Sequence, residues 1–193
     1  MKRIASKQSL SVLCAVLALA AIAALPALSQ PPGPSGPPKP APEMKQLAFF
    51  LGTWSCKGKA EASPMGPEHP TQATVRISND IGGFWYVGHY AEKKTKSNPV
   101  PMVFHFVQGY DGTAKALTMD CFDVYGGHCH QTSAGWKDGK LVYSGESTGG
   151  GPATPVRDTF TKKGDAGLEH AGEMQVEGKW VFTDHETCTR LKK

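Results

Sequence analysis

From Gly52 to Arg190 the chain alternates apolar and polar residues in short runs, and turn-forming residues interrupt the alternation at even intervals. The interruptions are Asn79 with Gly82-Gly83, Asn98-Pro99, Asp111-Gly112, Gly126-Gly127, Asp138-Gly139, Gly149–Gly151 before Pro152, Lys163-Gly164-Asp165 and Glu177-Gly178. A period of two places successive side chains on opposite faces of a strand, and turn residues at regular spacing close hairpins. Ten strands are predicted, at about 52–62, 71–78, 83–93, 101–109, 115–123, 128–136, 140–147, 155–162, 167–176 and 179–190. Even strand spacing with almost no helix leaves a sandwich or an up-and-down barrel. We expect an all-β, ten-stranded antiparallel up-and-down barrel over residues 44–193. One short helix precedes it at Glu43 to Phe50, with Met44, Leu47, Ala48 and Leu51 at helix spacing.

The first 43 residues have a different character. Lys2, Arg3 and Lys7 precede an apolar run from Leu10 to Leu25, then Pro26 and the small-x-small tripeptide Ala27-Leu28-Ser29. This is the pattern of a cleavable signal peptide over residues 1–29, with the mature chain starting at Gln30. An uncleaved N-terminal anchor is the alternative. Residues 30–43 form a linker, in which seven of the twelve residues from Pro31 to Pro42 are proline. Such a segment buries no apolar surface and favours extended polyproline conformations. The body is therefore expected outside the cytoplasm, periplasmic or secreted, with no membrane span after cleavage. The net charge of +4 comes mainly from the leader; without its three basic residues the count is 18 basic against 17 acidic. A near-neutral body lacks the basic footprint of a nucleic-acid binder.

Four cysteines remain in the body, Cys56, Cys121, Cys129 and Cys188. An even number outside the cytoplasm predicts disulfides. Facing residues of an antiparallel pair have a constant sum of positions. Cys56 with Cys188 and Trp54 with Arg190 share one sum, so one register of the first and last strands satisfies both. Cys121 with Cys129 fits a hairpin whose loop is Val124-Tyr125-Gly126, with Gly126 where positive φ is needed. The pairs Cys56–Cys188 and Cys121–Cys129 are expected.

Gly52-Thr53-Trp54 opens the first strand as lipocalin-type barrels do, and Arg190 near the end of the last strand is placed to cover the tryptophan through a cation–π contact. With Leu51 before it, Gly82-Gly83-Phe84-Trp85, Gly109-Tyr110-Asp111 and Thr189-Arg190, the chain resembles the domain of unknown function 1579 family. These are uncharacterised, mostly bacterial and often secreted proteins. The resemblance spans about residues 46–193 and implies a lipocalin- or calycin-like barrel without implying a mechanism. A more distant similarity is to nitrobindin-like haem barrels, which open with a comparable Gly-Thr-Trp and ligate haem through a histidine near the last strand. His185 is the histidine in that neighbourhood. Its parity is opposite to Trp180, Phe182, Cys188 and Arg190, which alternation places inward.

Other chemistry is sparse. His128 and His130 share a strand face and, with His185, are the candidate metal ligands, but His-x-His lacks the spacing of structural zinc sites. No nucleophile elbow, phosphate loop, dinucleotide fingerprint or His-Glu-x-x-His is present. Asp184 and Glu186 share the inward parity of Cys188. No catalytic residue is assigned, and the chain is not expected to be an enzyme. Trp54, Phe84, Tyr86, Tyr90, Phe104, Phe106 and Arg190 are the candidate ligand-binding residues. The expected function is binding of a small apolar ligand in the barrel, without chemistry and without a cofactor. The alternatives are haem binding or a structural or interaction module of the envelope.

Overall fold

The computed structural model describes residues 36–149 and 151–192. The expected leader, the linker up to residue 35, and Gly150 lie outside the described residues. A 3-10 helix over Pro42–Phe50 is followed by β1 (Gly52–Ala60), β2 (His69–Asp80), β3 (Trp85–Glu92), β4 (Val103–Asp111), β5 (Ala116–Asp123) and β6 (His128–Ser133). A two-residue spur, β7 (Trp136–Lys137), precedes β8 (Lys140–Thr148), β9 (Thr154–Lys163), β10 (Gly167–Val176) and β11 (Lys179–Arg190). Consecutive strands pair antiparallel except β6 and β7: β6 pairs with β8 past the spur, and β7 pairs with β8. β1 pairs with β11, which closes the ten long strands into a barrel.

The closing register is the expected one. Trp54 faces Arg190 and Cys56 faces Cys188. Cys121 faces Cys129, and Gly126 in the following loop has φ +81°. Both disulfides are formed.

The N-terminal helix differs from expectation in its winding. Its buried residues are Met44, Leu47 and Phe50, one every third position, while Ala48 is exposed and Leu51 caps the end. Three residues per turn align positions 44, 47 and 50 on one edge, where an α-helix would have favoured Ala48. That edge shuts one end of the barrel. Phe50 packs on Trp136 and Phe160, at 5.6 and 5.3 Å between ring centroids. Trp54 is buried beside them, and its indole N–H donates to the Phe50 carbonyl at 2.8 Å. The Arg190 guanidinium lies 4.2 Å from the Trp54 ring and donates to the carbonyls of Leu51 and Phe49. Gly52, between helix and strand, has φ +112°, which a side chain would strain.

The expected parity of β11 fails at its start. Gly172 faces Asp184, but Glu173 faces Phe182, so Thr183 is an extra residue in a β-bulge. A bulge switches the faces of the residues before it. Trp180 and Phe182 therefore point outward and are exposed, not inward as simple alternation predicts. Asp184, Glu186, Cys188 and Arg190 follow the bulge and keep the inward face.

Candidate functional site

The half of the barrel opposite the helix is lined by polar side chains. His170 on β10 has the parity of buried Leu168, Asp158 on β9 that of Phe160, and Asp184 on β11 that of Cys188. Because β9, β10 and β11 are neighbours, the three side chains converge. His170 Nε2 lies 2.9 Å from Asp158 Oδ1 and its Nδ1 2.9 Å from Asp184 Oδ2. Gln131 on β6 donates to Asp158 Oδ2 at 2.5 Å, and the Thr183 hydroxyl donates to Asp184 at 3.1 Å. Next to Asp184, Glu186 Oε1 accepts from the hydroxyls of Thr71 at 2.7 Å and Tyr90 at 3.0 Å. Tyr90 stacks on Phe104 at 4.7 Å, and Phe106 lies 6.0 Å from Phe104. The Phe106 ring covers Gly88, where any Cβ would collide with it. One side of the lumen is thus acid and imidazole, and the other is aromatic.

These groups lie inside the wall and are partly exposed. The side chains of His170, Asp158 and Asp184 are 19%, 22% and 27% exposed. Three further polar atoms on inward-facing residues have no hydrogen-bond partner among the described residues: Gln108 Oε1, Gln131 Oε1 and the Tyr143 hydroxyl. Their residues are 2%, 2% and 0% exposed. Buried polar atoms rarely go unpaired, so each marks a place where a water or another polar partner would be favoured.

Burial alone would push the His170 imidazole down, but the Asp184 charge and the hydrogen bonds to Asp158 and Asp184 outweigh it and hold it well above 6.5. Burial would raise Asp184, yet the charge and hydrogen bond of His170 bring it below 3.8. Glu186 is raised above 4.5, chiefly by burial, with the Asp184 charge adding to it against the hydroxyl hydrogen bonds. The signs fix the pH dependence of stability. His170 contributes stability that is complete below pH 6.5 and is lost as pH rises through its raised folded value. Asp184 contributes stability that is present above pH 3.8 and is lost as pH falls through its lowered folded value. Glu186 favours the fold when protonated, so its contribution also fades as pH rises. In a pH series of thermal unfolding, His170→Gln should remove most of the decline that sets in as pH rises above 6.5. An unchanged alkaline limb would show that His170 is not held as a cation in the fold.

The residues expected from the sequence divide between three places. Tyr90, Phe104 and Phe106 meet in the open half, and Tyr86 is buried on the same face of β3. Trp54 and Arg190 belong to the closed end. Phe84 is not on β3; it caps the short 3-10 turn Ile81–Gly83 before the strand. His128, His130 and His185 lie on the outer face. His130 Nδ1 is 2.8 Å and His128 Nε2 3.6 Å from Asp120 Oδ1, and His128 stacks on Phe122. The His185 ring lies 4.3 Å from that of Phe182. Asp158, His170, Gln131 and Tyr143 do not stand out in the sequence. Their signal is parity with Phe160, Leu168, Cys129 and Leu141, but polar residues at inward positions gain meaning only when strand neighbours are known.

No family model matches the chain, and no curated protein matches it. Among solved structures it is similar to the crystal structure of Rv2717c from M. tuberculosis, with a TM-score of 0.63 and 11% identity, covering 80% of this chain and 100% of that one. At that identity the likeness concerns the fold alone.

Proposed function

We propose that the chain is a barrel that binds one small molecule in the half opposite the 3-10 helix and performs no chemistry on it. The observation that carries this is the contrast between its ends. One end is sealed by Leu47, Phe50 and Trp54, while the inward-facing Asp158, His170 and Asp184 of the other keep 19–27% of their side-chain surface open. The ligand's apolar part would rest on Tyr90, Phe104 and Phe106, as expected from the sequence, and the polar groups opposite would orient it. Haem fits this interior poorly. His185 faces outward, and both ring nitrogens of His170 are engaged by carboxylates, which leaves neither with a lone pair for iron. We further propose an extracytoplasmic location, which the two disulfides support, and membership of the domain of unknown function 1579 family, which rests on the motif resemblance.

Titration with the neutral fluorescent probe N-phenyl-1-naphthylamine tests the ligand site. Saturable binding of one probe per barrel is expected, weakened about tenfold or more by Phe104→Ala. Absence of saturable binding, or binding indifferent to Phe104, would favour a structural module instead.

A further inference from the structure

We infer that the ligand carries a cationic head, a primary ammonium, held by Asp158, Asp184 and Glu186. The inference rests on the lumen being a ligand site, as proposed above. Its first support is the charge count. Asp158 and Asp184 share one imidazolium, His170, and so retain one net negative charge. Among the described residues, Glu186 beside them has only the hydroxyls of Thr71 and Tyr90 as hydrogen-bond partners. Among the described residues, no lysine or arginine forms an ion pair with any of the three carboxylates. Lys162 and Arg190, which point inward, are committed to aromatic rings at the closed end. Glu92 does not add to the count. It is tied to the rim loop by Asn98 and the Met102 N–H, at 2.6 and 2.8 Å, with His69 at 3.5 Å. A partly desolvated negative charge without a counter-cation is costly, and a bound cation relieves that cost.

The second support is independent of charge. Gln131 spends its N–H on Asp158, and its Oε1 is left as an unpartnered acceptor. The Tyr143 hydroxyl is also unpartnered, and Tyr143 faces Asp158 across β8 and β9. A primary ammonium offers three donors and no acceptor, the complement of such a surface. The third support is the wall opposite. Tyr90 bonds to Glu186 through its hydroxyl and stacks on Phe104, so an aromatic pair stands beside the carboxylate, and an aromatic ring attracts a cation over its free face. A carboxylate or phosphate head would meet like charge in the same place.

Calorimetric titration at neutral pH with octylammonium, octanol and octanoate separates the possibilities, because the tail is constant and only the head changes. Octylammonium should bind about tenfold or more tighter than octanol, with octanoate weakest. Glu186→Gln and Asp184→Asn should each shrink the ratio of octylammonium to octanol affinity. Glu186→Gln is the informative variant if Asp184→Asn, which releases His170, fails to fold. Equal affinities, a reversed order, or a preference unmoved in folded variants would overturn the cationic head while leaving the neutral-probe site intact. Binding of the neutral probe without binding of octylammonium would overturn it in the same way. Loss of neutral-probe binding as well would withdraw the ligand site itself.

Discussion

Replacing Cys56 and Cys188 together with alanine should lower the free energy of unfolding by about 5 kcal/mol in the chain-entropy account. The two residues are 132 positions apart, so their bond removes much of the freedom of the unfolded chain. Alanine is the suitable replacement, because both sulfurs are buried and serine would leave unpaired hydroxyls inside the barrel. The Cys121–Cys129 bond spans a separation of only 8. Its removal should cost about 2.5 kcal/mol by the same relation. Urea unfolding of the two double variants provides the comparison. If the hairpin pair costs as much as the closing pair, loop length does not govern the stabilisation.

Trp54→Ala should cost roughly 3–5 kcal/mol, the range for emptying a buried site of that size. It removes the indole hydrogen bond to Phe50 and the surface that Arg190 covers. Arg190→Ala should cost on the order of 1–2 kcal/mol, since a sheltered cation–π contact and the side-chain packing go together. Arg190 also donates to the carbonyls of Leu51 and Phe49, so the loss should sit toward the upper end of that range. The double variant should lose less than the sum, because the two side chains act through one contact. With the disulfides intact, fully additive losses in a double-mutant cycle would mean the two side chains are not energetically coupled.

The architecture is legible in the sequence because strand pairing leaves an arithmetic trace. Two independent pairs, Trp54 with Arg190 and Cys56 with Cys188, demand the same register, and β1 and β11 adopt it. What the sequence hides are departures from strict periodicity. The extra residue at Thr183 has no compositional mark, yet it turns Trp180 and Phe182 to the outside. Met44, Leu47 and Phe50 fit a three-residue period as well as residues at α-helical spacing fit theirs, and the aromatic packing of Phe50 favours the tighter winding. The polar half of the lumen is legible only in part. Asp184 and Glu186 show inward parity, but the partners that define their chemistry come from β2, β3, β6, β9 and β10.

Joining the first strand to the last has a temporal consequence. A chain made from its N-terminus presents β1 long before β11 exists, so one edge of β1 waits unpaired until almost every other strand has been synthesised. Cys56 waits with it. The next cysteine to appear is Cys121, which belongs to Cys129, and pairing in order of appearance would give a Cys56–Cys121 bond between strands four apart in the sheet order. The native bonds are nested, with the short one inside the long one. Closure of the β5–β6 hairpin before β11 is made would remove both competitors for Cys56 and reserve it for Cys188, so that the smaller bond would protect the correctness of the larger.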